Sequence, residues 1–254
     1  MTHTDKSIIR DLRSIRPTRP YADKNEAFAV AEEQASELLK YFGITEPEVD
    51  VSLIMQLPRI QVEVDADLPE CGLYGKTTWE QGYWLVKISK GARVATRRYT
   101  LAHEFKHILD DPTVKSAYRN LGIDKYDRKA IIEEVCEYFA DSFLMPRLMV
   151  ARAVRADVRN VARLAALFGV LQSDMDRRLQ DLGLKIELPE GEDPVRSYFR
   201  TASVRARGRR PKPVPNKGIA GLQTLLANSE IVYSGRRRFQ RSVGHLIEDR
   251  RRDR

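Results

Sequence analysis

The pentapeptide His103-Glu104-Phe105-Lys106-His107 holds two imidazoles and a carboxylate at a spacing suited to metal-dependent hydrolysis. On an α-helix, residues four apart lie only about 40° from each other around the axis, so both rings can reach one tetrahedral ion such as zinc. Glu104 then points about 100° away from His103, where a carboxylate can act as general base toward an attacking water. The helix itself is predicted from apolar spacing, because Leu101, Phe105 and Ile108 form an i, i+4, i+7 stripe on the side opposite the histidines. Asp110-Asp111-Pro112 ends it, since proline disfavours helical geometry in the residue before it.

A catalytic zinc takes three protein ligands and keeps a fourth position open, so a further donor is required. His3 and His245 lie in the terminal regions, and Cys71 and Cys136 are single cysteines without ligand spacing. The best source is the helix predicted over Ile131 to Leu144, which stops at Met145-Pro146 and has the apolar stripe Ile132, Val135, Cys136, Phe139 and Phe143. Glu133 lies on the flank of that stripe with Glu137 and Ala140, whereas Glu134 and Asp141 fall about 180 to 200° around and are expected to face water. Glu133 is therefore the candidate third ligand. Glu137 is a candidate to orient a ligand histidine, which would also relieve the repulsion of two carboxylates at i, i+4. The competing explanation is a solvated patch in which these carboxylates pair with Lys129. Lys106 is expected at the surface or lining the cleft. Tyr99, Tyr118, Tyr126 and Tyr138 all stand as candidate donors to a developing oxyanion. The donor set suits zinc, and manganese or iron can occupy such a site in its place.

The run Arg98-Tyr-Thr-Leu-Ala-His-Glu-Phe-Lys-His107, followed by Glu133-Glu-Val-Cys-Glu-Tyr-Phe-Ala-Asp-Ser-Phe-Leu-Met-Pro146, resembles the ImmA/IrrE metallo-endopeptidases. Two separated motifs match in order and spacing, and the resemblance spans about residues 23 to 183. It implies a minimal, gluzincin-like fold with zinc held by two histidines and a glutamate, and cleavage of a phage- or stress-response repressor. Carried over, His103 and His107 match the ligand histidines, Glu104 the general base and Glu133 the third ligand. Phe105-Lys106 stands where that family usually has Leu-Gly, and Glu137 where it has Asp or Asn.

The elements that position these residues read as an α+β domain, a small antiparallel sheet with active-site helices. Asp23 to Phe42 is an amphipathic helix closed by Gly43, and a short helix runs from Asp50 to Pro58. Ile60 to Val64 alternates as a half-buried strand does, and strands around Cys71–Thr78 and Tyr83–Ile88 form a hairpin. An edge strand beside a metal cleft can take up an extended peptide by strand addition. Beyond Pro146, Leu164 to Gly183 reads as a helix-turn-helix with Ser173 as the cap of its second helix. Placed in a major groove, Arg177 and Arg178 could touch DNA, although short helical hairpins more often pack against a core. The predicted organisation is a basic arm over 1–20, the metallopeptidase domain over 21–146, the helical extension over 147–185 and a basic tail over 186–254.

With 254 residues and 42% hydrophobic content, the chain can bury one sizeable core. The net charge of +8 is concentrated, because residues 201–254 hold 14 Lys or Arg against 4 Asp or Glu. That composition, with Arg236, Arg237 and Arg238 in one run, is typical of flexible basic tails that attract phosphates non-specifically. No stretch is apolar enough to cross a membrane, no secretory signal opens the chain, and two cysteines fit a reducing compartment, so a cytoplasmic protein is expected. The leading function is a zinc endopeptidase that inactivates a helix-turn-helix repressor. Two alternatives use the same features, a non-proteolytic DNA-binding regulator with a structural metal and a component of a toxin–antitoxin pair.

Overall fold

Aspartates open the two longest helices. The Asp23 side chain accepts from the Glu26 amide at the start of α2 (Lys24–Tyr41), and Asp124 accepts from the amides of Tyr126 and Asp127 at the start of α5 (Lys125–Leu144). The computed structural model describes residues 8–65, 68, 74–156, 160–184 and 186. Its element order is α1 (Ile8–Ser14), α2, a 3-10 turn (Val51–Gln56), β1 (Ile60–Asp65), β2 (Gly75–Glu80), β3 (Tyr83–Ser89), α3 (Val94–Asp110), α4 (Val114–Ala117), α5, α6 (Arg147–Arg155), α7 (Val161–Phe168) and α8 (Gln172–Asp181). Helix α5 packs between α2 and α3, and Phe105, Phe139 and Phe143 are fully buried where they meet. This is the α+β arrangement expected, with the histidine helix and the Glu133 helix side by side.

The sheet differs from the expectation in one respect. β2 and β3 form the antiparallel hairpin, turning at Gln81 and Gly82, both with positive φ. β1, however, pairs with β3 in parallel, so the sheet is mixed with the order β1-β3-β2. The long connection from β1 to β2 lets β1 return on the far side of β3, which alternation within a strand does not reveal. Among the described residues β2 is therefore an edge. The Ser89 amide donates to the Tyr74 carbonyl at 2.9 Å, which makes that pair hydrogen-bonded and sets the phase of the ladder. Gly75, Thr77 and Trp79 consequently fall in the alternate pairs, with their backbone N–H and C=O pointing away from β3.

The segment expected as a basic arm belongs in large part to the domain. Ile8 and Leu12 of α1 are buried against the core. Arg13 donates to the carbonyls of Ile108 and Leu109 at 2.8 and 3.3 Å, occupying acceptors that the end of α3 leaves without intrahelical donors. Arg19 pairs with Glu26. At the other end, α8 begins at Gln172 after an uncapped Leu171, so Ser173 lies inside the helix and does not cap it. Gly169 closes α7 in the left-handed conformation, φ 65°, and a Cβ there would overlap the Arg98 guanidinium, which donates to the Gly169 and Val49 carbonyls. Residues 187–254, most of the expected tail and Arg236, Arg237 and Arg238 with it, lie outside the described residues. Among the described residues no helix is long and apolar enough to cross a membrane.

Candidate active site

The i, i+4 spacing on α3 turns the His103 and His107 rings toward each other, with their Nε2 atoms 3.1 Å apart. From α5, Glu133 brings Oε2 to 3.2 Å from His103 Nε2 and 3.5 Å from His107 Nε2. All three side chains keep some exposure, between 12% and 20%, so the cluster opens to one side. Burial would push the Glu133 carboxyl up, but hydrogen bonds and charge from the two histidines outweigh it and hold the group below the usual carboxylate range. Three donor atoms on a tetrahedral zinc with bonds of about 2.0–2.1 Å stand roughly 3.3–3.4 Å apart. The observed triangle of 3.1, 3.2 and 3.5 Å fits that size.

A second donor lies behind the ring of His107. Cys136 Sγ is 3.6 Å from its Nδ1, and one ligand atom each from His103, His107 and Cys136 falls within a 4.8 Å group that could hold a metal. The Cys136 contact is to Nδ1 of His107, whereas the contacts with His103 and Glu133 are made by its Nε2. Burial pushes the Cys136 thiol up, which disfavours the thiolate that binds metal.

Glu104 points from α3 to the sheet. Its Oε2 accepts a hydrogen bond of 2.6 Å from the Thr77 hydroxyl on β2, and the side chain is only 2% exposed. Its close approach depends on Gly75, where a Cβ would overlap Thr100 Cγ2 and stand 2.9 Å from Glu104 Oε1. The carboxylate is thus seated against β2, beside the histidines on the same helix.

Comparison with known proteins places this geometry. Residues 64–180 match Peptidase_M78, described as the IrrE N-terminal-like domain. Over that stretch the chain is similar to the IrrE-type metallopeptidases. A solved Mycobacterium tuberculosis transcriptional regulator is 16% identical, with a TM-score of 0.50 over 72% of this chain, a likeness of fold alone. The match covers 64% of the regulator, so this chain spans less than two thirds of its length. No curated protein matches the chain.

In this IrrE-like domain several expected roles fall elsewhere. The Glu137 carboxylate bonds to neither histidine. Its backbone carbonyl instead accepts from Tyr99 at 3.2 Å, and Cys136 is the group beside a histidine nitrogen. Asp141 does not face water, because it is 1% exposed and takes two hydrogen bonds from Arg177, at 2.8 and 2.9 Å. Burial pushes its carboxyl up to about 6 even against that guanidinium. Arg177 also donates to the Tyr99 hydroxyl, which joins α8 to both helices of the site. Arg178 is fully buried, donating to the Met145 carbonyl and Glu32 under the Tyr138 ring. Neither arginine therefore stands on a free face for a DNA groove, because α8 spends both on holding itself to the domain.

Lys106 is neither at the surface nor in the cleft. It is fully buried, with Nζ 2.7 Å from Asp110 Oδ1 and 2.9 Å from Gln34 Oε1, and Asp110 also accepts from Tyr118 at 2.7 Å. Of the four candidate tyrosines, Tyr118 is committed to that buried pair, Tyr138 donates to Glu32 and Tyr126 is 72% exposed. Tyr99 is one helical turn from His103 on the same face of α3. Sequence reasoning missed Thr77, Gly75 and the contact of Cys136 with His107. A glycine and a threonine two residues apart on a predicted strand carry no signal that a helix 30 residues on will lean against them.

Proposed function

We propose that this protein is a zinc-dependent endopeptidase in which His103, His107 and Glu133 hold the metal and Glu104 is the general base. The observation that carries the reading is the triangle of three donor atoms, 3.1 to 3.5 Å on a side, on the helix that also bears Glu104. When bound, zinc supplies Lewis acidity toward a carbonyl and lowers the pKa of water. Glu104 accepts the proton released in the attack and returns it to the leaving amine. The two Nε2 atoms and the Glu133 oxygen lie within 3.5 Å of one another, closer than the 3.6 Å from Cys136 Sγ to His107 Nδ1, and the neutral thiol serves better as acceptor for the Nδ1 proton of His107. Manganese in place of zinc is compatible with the same donors.

The substrate we infer is an extended segment of a helix-turn-helix repressor. The edge position of β2 among the described residues supports this, since the backbone groups of Gly75 and Thr77 point away from β3, toward where a strand could be added beside the base. Residues 8–186 act as one catalytic unit in this reading, and the basic segment with Arg236, Arg237 and Arg238 holds nucleic acid non-specifically near the substrate in a cytoplasmic setting. The test is co-expression of the wild type or Glu104→Gln with the repressor encoded nearest the gene, with zinc added, and mass spectrometry of the repressor. Cleavage by wild type alone supports the endopeptidase. An intact repressor with both proteins, and with no other cleavage in the cell extract, refutes it.

A further inference from the structure

The hydroxyl of Thr77 donates to Glu104 from a different layer of the domain. We propose that Thr77 is a positioning residue for the base: its hydroxyl, 2.6 Å from Glu104 Oε2, fixes the carboxylate in the orientation from which it exchanges protons. The inference rests on the endopeptidase reading of the site and names a residue that neither the two helical motifs nor the metal-ligand set contains.

Three features converge on it. Glu104 is almost wholly buried, so bulk water is poorly placed to replace the Thr77 hydroxyl as a donor to Oε2. Two residues back along the same face of β2, Gly75 leaves the space the Glu104 side chain occupies, since a Cβ there would stand 2.9 Å from Oε1. Finally, the backbone of Thr77 faces the open edge while its side chain faces α3. A peptide added at that edge is therefore aligned by the backbone of the residue whose side chain holds the base. Register of the substrate and orientation of the base are tied to one residue, which limits the relative error between them; misplacement by about 1 Å at such a centre can cost on the order of 100-fold in rate.

The test uses the full chain loaded with zinc and two substitutions, one nearly isosteric and one that trims only a methyl. Thr77→Val removes the donor and keeps the shape, and Thr77→Ser keeps the donor. For Thr77→Val a fall in kcat of about 10- to 100-fold is expected, the range for lost partners around a metal centre, with KM and zinc content unchanged. Thr77→Ser is expected to stay within about threefold of wild type, because the donor in this charge-assisted bond is retained. Crystal structures of both variants give a readout independent of activity: the Glu104 carboxylate leaves its wild-type rotamer in Thr77→Val and keeps it in Thr77→Ser. Equal activity of Thr77→Val and wild type, equal losses in both variants, or an unmoved Glu104 in Thr77→Val each overturns the proposal. Should the wild type cleave nothing, the endopeptidase reading fails, while the rotamer comparison still decides whether Thr77 positions Glu104.

Discussion

Replacing Lys106 with methionine removes one partner of an ion pair that no water reaches. Lys106 is fully buried, Asp110 is 3% exposed at its side chain, and the two are 2.7 Å apart one turn from each other on α3. Methionine keeps most of the stem and its packing, so the change isolates the charge. Breaking a buried pair from one side typically costs about 3–5 kcal/mol, because the remaining charge stays buried. Asp110 retains the Tyr118 hydroxyl, which places the expected loss near the lower end, about 3 kcal/mol. In urea, with an m-value of about 2–3 kcal/mol/M, the midpoint falls by roughly 1–1.5 M with the slope unchanged. In a thermal melt the same loss lowers Tm by roughly 6–12 °C. Adding Asp110→Asn removes the stranded charge, and the double variant is expected to recover at least half of the loss. A midpoint within about 0.3 M of wild type for Lys106→Met, equivalent to less than about 1 kcal/mol, would refute the buried pair and return Lys106 to the surface.

Further outcomes separate the roles argued for individual side chains. Zinc stabilises the wild type by about 4 kcal/mol at a thousandfold excess over Kd, raising its unfolding midpoint, and EDTA reverses the shift. Glu133→Gln abolishes that zinc-dependent shift whereas Cys136→Ser keeps it; the opposite pattern in the same titration would assign the metal to the cysteine. Gly75→Ala forces a methyl against Thr100 and Glu104, so peptide cleavage falls at least tenfold while overpacking costs only about 1–3 kcal/mol in a urea melt. Arg178→Met strands the Met145 carbonyl and breaks the contact with Glu32, lowering stability by roughly 2–4 kcal/mol without altering affinity for duplex DNA in a gel-shift assay. A large loss of DNA binding in that variant would restore the groove-reading role of α8.

The long helices and the hairpin were legible in the sequence because their signals are local. Apolar periodicity over Asp23–Phe42 and Leu101–Ile108, the closing Gly43 and a Gln-Gly turn between two strand-like runs each act within a few residues of chain. The proximity of His103 to His107 is likewise a property of one helix, so the motif alone implied convergent imidazoles. The approach of Glu133 to them requires α5 to lie beside α3 at one register, which angles on a single helical wheel narrow but do not determine.

Where the helical wheel misled, a neighbour from a distant part of the chain covered the side that the wheel left open. Asp141 is polar on an outward-looking face until α8 arrives with Arg177, and Lys106 leans into Asp110 and Gln34 because α2 closes over it. The parallel return of β1 and the docking of α1 through Arg13 depend on contacts 22 to 96 residues apart. A sequence determines the period, the stops and the chemistry of each segment, since those arise from the geometry of one backbone. Which polar groups are buried, and against what, is decided only when segments pack, because a charge leaves water only where another element supplies its partner.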